Sequence, residues 1–185
     1  MSEFEMAPLQ KALAIEDRLK RALYVVGVIA RDLDPLAQPI VVGGTAVEFY
    51  TLGAYTTHDV DLVCPSRPKA VEALERLGFE RSESLRHWYH GELEMVIEIP
   101  DEHLAGDTQR LAEVVIDGLT VHVIGVEDLI LDRLRACVHW RSESDCEWAR
   151  RMIAIHRREM DWDYLLKAAK EEDLYERLRV LDPCE

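Results

Sequence analysis

The sequence predicts an α+β fold, with strands and helices interleaved over residues 1–125 and a helical region over residues 126–185. Three observations predict it. Segments 59–64 and 93–99 alternate apolar and polar residues, which is the period of a strand with one buried face. Segments such as 8–32 carry apolar residues at helical spacing. Beyond Gly125 the strand patterns stop and only helical patterns follow.

The elements follow in order. Pro8 to Asp32 reads as a helix, with Leu9, Leu13, Leu19, Leu23, Val26 and Ile29 on one stripe and Pro35 and Pro39 beyond its end. Ile40-Val41-Val42 is a short apolar strand that runs into Gly43-Gly44, and Thr45 to Leu52 is a helix closed by Gly53. Asp59 to Cys64 is a strand with Val60, Leu62 and Cys64 on one face and Asp59, Asp61 and Val63 on the other. Pro68 to Leu77 is a helix ended by Gly78, and Phe79 to Tyr89 an irregular or edge strand. Leu93 to Ile99 is a strand whose polar face carries Glu94 and Glu98. Residues 113–117 and 119–124 form a hairpin around Gly118. Four helices complete the chain, at 126–140, 144–156, 162–171 and 174–180.

The bulk properties narrow the function classes. The chain has 185 residues, 48% hydrophobic and 31% charged, enough for one core without metals or disulfides. Its formal charge of −14 argues against a grip on long nucleic acid, which needs clustered Lys and Arg. No apolar run approaches the roughly 20 residues that span a bilayer, and residues 1–10 lack the parts of a signal peptide. Cys64, Cys137, Cys146 and Cys184 are widely spaced and form no C-x-x-C pair, so the expectation is reduced thiols in a cytoplasmic protein. Cys137 and Cys146 could face each other across a helical hairpin.

Three features together carry chemistry. A strand runs through Gly43-Gly44 into a helix, a geometry that brings backbone N–H groups close to an anion. Asp59 and Asp61 share one strand face, where two like charges a few ångströms apart repel unless a cation lies between them. Oxygen-only ligands of this kind suit magnesium or manganese, with triphosphate oxygens completing the octahedron. Glu98, with Glu94 as the fallback, lies on a later strand and could add a third carboxylate that takes a proton from an attacking hydroxyl. Singly, each feature is ordinary: a turn, a solvated strand face, the outer side of an amphipathic strand. The order is more specific, with fourteen residues between Gly44 and Asp59.

In that order the sequence resembles the polymerase-β-like nucleotidyltransferase superfamily, and in particular its small bacterial members of the minimal nucleotidyltransferase and abortive-infection toxin type. The matching stretches are Val41-Val-Gly-Gly-Thr-Ala-Val47, Tyr55-Thr-Thr-His-Asp-Val-Asp-Leu-Val63 and Ile124-Gly-Val-Glu-Asp-Leu-Ile-Leu131. The resemblance implies a mixed sheet flanked by helices, followed by a C-terminal helical part. It implies transfer of a nucleoside monophosphate from a nucleoside triphosphate to an acceptor hydroxyl on a small molecule, a protein or a tRNA. It assigns Gly43, Gly44, Thr45 and Thr57 to the nucleotide, and Asp59, Asp61 and Glu98 to catalysis and to Mg2+ or Mn2+. The sequence departs from the family in three places. The third carboxylate is Glu rather than Asp, Thr56 stands where many relatives carry a basic residue, and Asp132-Arg133, with Arg135 nearby, stands where relatives often carry a lysine after Glu-Asp-Leu, an Arg being able to substitute as a charge but not with the same geometry. These departures leave an alternative, a catalytically degenerate fold that acts as a toxin–antitoxin-like module with a helical partner protein.

Other residues have plainer readings. His87-Trp88-Tyr89-His90 reads as an aromatic edge rather than a zinc site, and His58 points away from the carboxylates. Arg150-Arg151 and Arg157-Arg158 read as solvent-facing pairs, while Trp148, Ile153, Trp162 and Leu165 read as packing residues.

Overall fold

The computed structural model describes residues 3–83 and 86–182. Among the described residues the chain runs α1 (Glu3–Leu13), α2 (Arg18–Arg31), β1 (Ile40–Val41), α3 (Gly43–Tyr50), β2 (Asp59–Val63), α4 (Arg67–Arg76), β3 (Glu80–Arg81), β4 (His87–His90), β5 (Met95–Asp101), β6 (Ala112–Ile116), β7 (Leu119–Val123), α5 (Val126–His139), α6 (Glu143–His156), α7 (Trp162–Glu171) and α8 (Tyr175–Leu181). The strands form one seven-stranded sheet in the order β3-β4-β5-β2-β1-β7-β6. It is mixed: β1 runs parallel to β7 and β2 parallel to β5, while β1/β2, β3/β4, β4/β5 and β6/β7 are antiparallel. The α+β class with a mixed sheet and helical tail, expected from the sequence, is the observed one.

Several boundaries differ from expectation, each for a local reason. The single helix over 8–32 is two helices. The Asp17 side chain accepts the Lys20 N–H at 2.6 Å and starts α2 as its N-cap, and Arg21 Nε donates to the Ile15 carbonyl at 2.8 Å across the break. The apolar stripe hides that break because α1 and α2 bury residues in the same core. The edge strand over 79–89 is the hairpin arm β3 followed by β4, with residues 84 and 85 outside the described set. Trp88 is fully buried rather than draped over the edge. Glu94 falls in the turn before β5, exposed and at φ 48°, so it does not share the strand face of Glu98.

The cysteine expectation is overturned at one pair. Cys137 on α5 and Cys146 on α6 are joined in a disulfide across the helical hairpin. Cys64 is a free buried thiol that burial pushes up to about 12, and Cys184 lies outside the described residues.

The core is continuous from α1 to α8. On α5, Leu129, Ile130, Leu131 and Leu134 are at most 1% exposed. Each such side chain stabilises by about 1.5–3 kcal/mol. That burial fixes the rotation of α5, which decides where Asp132 and Arg133 on its other side can point. Trp148 and Trp162 are packed as expected: the first stands edge-on to Tyr55 at 4.9 Å and the second lies under the Arg157 guanidinium.

Candidate active site

The two central strands β1 and β2 bring their site residues together directly. Val42 leaves β1 with its N–H donating to the Asp61 carbonyl at 3.0 Å, so the glycine turn starts beside the Asp-x-Asp strand. Gly43 then adopts φ +55°, and a Cβ placed there would lie 2.3 Å from Asp61 Oδ2. Both facts demand glycine, one for the left-handed backbone and one for the close approach. The next amide, Gly44 N–H, donates to Asp61 Oδ2 at 2.9 Å. Thr45 Oγ1 donates to the Asp59 carbonyl at 2.9 Å, and Thr57 Oγ1 reaches the same carbonyl at 3.5 Å. These threonines position the strand backbone on which the carboxylates stand. Glu48, buried on α3, pairs with Arg18 and accepts the Thr57 N–H at 3.4 Å, so α2, α3 and the loop into β2 are tied at one point.

A cleft of about 570 Å3 opens on this arrangement. Gly43, Gly44, Thr57, Asp59 and Asp61 line one side. The end of β5 and the loop after it (Asp101, His103, Leu104), Asp132 and Arg133 of α5, and Trp140 also line it. Burial raises the Asp61 carboxyl above the ordinary carboxylate range, with the charges of Glu98 and Asp59 adding to it; the Gly44 N–H and Arg133 pull the other way. Burial is the main cause of that shift, and the neighbouring carboxylates add to it. The donor chemistry of Asp59 and Asp61 is all hard oxygen and fits magnesium or manganese. Arg133 supplies the cleft's guanidinium. Asp132 holds it at 2.6 Å and Asp145 at 2.9 Å, which fixes its direction.

Glu98 is placed differently. It stands on β5 in register with Asp61 of β2, yet its carboxylate is 3.4 Å from His87 Nε2 and 3.9 Å from Arg86 Nε, and it does not line the cleft. Among the described residues no three His, Cys, Asp or Glu side chains converge closely enough to hold a metal. The structure therefore assembles the Asp59–Asp61 pair with the glycine turn and leaves Glu98 on the adjacent strand, engaged elsewhere.

Sequence reasoning missed the role of Glu127 and Asp128. Asp128 is 2% exposed and accepts the Tyr164 hydroxyl at 2.6 Å and the Asp107 N–H at 2.8 Å. Glu127 accepts the Asp161 N–H at 2.7 Å. Arg110 stacks on the Tyr164 ring at 3.8 Å and pairs with Asp161 at 2.8 Å. This network ties the end of the loop that walls the cleft to α5 and α7. The available signal was two acids in the first turn of a helix, where free backbone N–H groups and the dipole favour negative charge.

With this geometry in hand, comparison with known proteins adds the following. Residues 18–180 match the family model described as a nucleotidyltransferase of unknown function, DUF6036. Among curated proteins none matches the chain. The chain is similar in structure to an antigenic nucleotidyltransferase-like protein from Paracoccidioides brasiliensis, with TM-score 0.57, 19% identity, and coverage of 89% of this chain and 93% of that one. It is also similar to the antibiotic-resistance factor ANT(2'')-Ia in solution, with TM-score 0.52, 19% identity, and coverage of 87% and 91%. At such identities the likeness is one of fold.

Proposed function

The chain belongs to this nucleotidyltransferase family, and from that premise we propose that it moves a nucleoside monophosphate from a nucleoside triphosphate to an acceptor hydroxyl in the cleft beside β2. The observation that carries the reading is the pairing of Asp59 and Asp61 on one strand face against the glycine turn of α3. In this reading Asp59 and Asp61 hold the divalent cation, Gly43 and Gly44 present backbone to the phosphates, and Arg133 faces the phosphate charge. The bound magnesium or manganese would neutralise charge on the transferred phosphoryl group.

The acceptor oxygen forms a bond to the α-phosphorus, the bond between the α-phosphorus and the α,β-bridging oxygen breaks, and pyrophosphate leaves with that oxygen and the electron pair. The acceptor proton passes to a carboxylate. Glu98, in register with Asp61, takes that part once its side chain leaves His87 and Arg86. The α/β core to residue 125 contributes the carboxylates and the helical region from 126 contributes Arg133, which is the sense in which we divide the chain. The acceptor is a small molecule, protein or tRNA end rather than long nucleic acid, in keeping with a formal charge of −14.

The test is label transfer from nucleoside triphosphates to components of a cell extract with magnesium or manganese. Transfer lost in Asp59→Asn and in Asp61→Asn supports the proposal. The engagement of Glu98 by His87 favours a second reading, a degenerate fold that binds a helical partner protein without transfer. Nucleotide binding that survives both substitutions, with no label transferred by the wild type, would select it.

A further inference from the structure

Trp140 stands apart from the other tryptophans of the chain. Trp88 is fully buried, Trp148 packs on Tyr55, and Trp162 lies under Arg157. Trp140 is 82% exposed and lines the same cleft as Asp59 and Asp61. No ring or cation partner is found for it among the described residues. Its place matters more than its exposure: the ring borders a cleft that also holds Asp59, Asp61 and Arg133, so a flat ligand in the cleft can reach it.

Its backbone is held tightly for an exposed residue. Trp140 is the C-cap of α5, and its N–H donates to the Ala136 carbonyl at 3.1 Å. Arg141 follows at φ 55°, and the Ser142 N–H returns to the same carbonyl at 3.3 Å. Ser142 Oγ then caps α6 by accepting the Asp145 N–H at 3.3 Å. The Cys137–Cys146 disulfide closes the turn on both sides. Arg133, about two turns earlier on α5, is fixed by Asp145 of the same hairpin. A ring carried on so constrained a turn loses little entropy when a flat partner settles on it.

We propose that Trp140 is the stacking platform for the nucleobase of the triphosphate, with Arg133 facing the phosphates from the same helical hairpin. The inference rests on the reading of the cleft as a nucleotide site. Stacking on an aromatic ring tolerates any base, because every base offers a π-face. Trp140 therefore contributes affinity for a nucleoside triphosphate without selecting among bases, and contributes nothing to a phosphate chain that lacks one.

The experiment compares binding of ATP, GTP and inorganic tripolyphosphate, with magnesium, to wild type, Trp140→Phe and Trp140→Ala. The expected result is a loss of roughly 5- to 100-fold for both nucleotides in Trp140→Ala. Trp140→Phe should retain most of the affinity, and tripolyphosphate should bind all three alike. Because the ring is exposed, thermal melting should not move and so reports intact folding. Nucleotide affinity unchanged in Trp140→Ala overturns the inference while leaving the nucleotide site standing. A change confined to the acceptor KM also overturns it, by giving the ring to the acceptor. If neither nucleotides nor tripolyphosphate bind the wild type, the reading of the cleft fails and the inference falls with it.

Discussion

Asp59 with Asp61, and Glu127 with Asp128, are two close pairs of acids that live in opposite circumstances. Asp59 and Asp61 stand on a strand, on one face, with a single backbone N–H bound to Asp61, whose carboxyl is raised by burial first and then by the charges of Glu98 and Asp59. Glu127 and Asp128 stand in the first turn of α5, buried, and between them accept two backbone N–H groups and a tyrosine hydroxyl. The second pair is satisfied by the protein and serves the fold. The first is left short of positive charge, and that shortfall is what suits it to a ligand brought from outside. Residue type does not separate the two pairs; their partners do.

Substitutions should separate them in opposite directions. Asp59→Asn and Asp61→Asn remove the cation's ligands and should each lower nucleotidyl transfer by about 100-fold or more, with melting temperature held or slightly raised. Label-transfer rates and calorimetry on the same samples check both halves. Asp128→Ala leaves the Tyr164 hydroxyl and the Asp107 N–H without their acceptor, and should cost about 3 kcal/mol. For a chain of this size that is a fall of roughly 6–12 °C in melting temperature, with transfer reduced only insofar as the cleft loop loosens. A melting loss in Asp61→Asn as large as that of Asp128→Ala would dissolve the distinction.

A smaller effect lies in the pH dependence. The Asp61 carboxyl is raised in the folded state, so the folded chain holds this proton more tightly than the unfolded one. Its unfavourable contribution is absent below the ordinary carboxylate range and grows as pH rises from there through the raised value. Chemical denaturation across that window should show wild-type stability falling with pH relative to Asp61→Asn, and added magnesium should flatten the difference. Asp161, held low by the Tyr164 N–H and then Arg110, contributes the opposite slope: its stabilisation is present above the ordinary range and is lost on acidification.

The strand carboxylates were legible in the sequence because alternation fixes which residues share a face, and Gly43-Gly44 announced the close approach that Asp61 exploits. The interleaved core and the helical tail were legible for the same reason, as periodicity. What depended on side-chain direction was not. Glu98 was placed on the right strand, but its alternation reveals neither its register with Asp61 nor that His87, opposite it on β4, engages its carboxylate. The break at Asp17 was invisible because both helices feed one apolar stripe, and the Cys137–Cys146 link depended on how closely α5 and α6 pack. Asp128 could be seen as an acid near a helix start, while its partners lie 21 and 36 positions away in the chain.

The hydrogen bond from Gly44 to Asp61 has a consequence for how ligands arrive. One amide serves one strong acceptor at a time, and at 2.9 Å this one is taken by a carboxylate oxygen. A phosphate oxygen seeking the same amide must compete with Asp61, whereas Asp61 turning toward a cation surrenders it. Occupancy of the carboxylates and occupancy of the glycine turn are thereby linked. Each favours the other by the same factor, as thermodynamic reciprocity requires, and neither ligand alone has full use of the site. Asp61→Ala should expose that competition, binding inorganic pyrophosphate more tightly than wild type when both are stripped of metal.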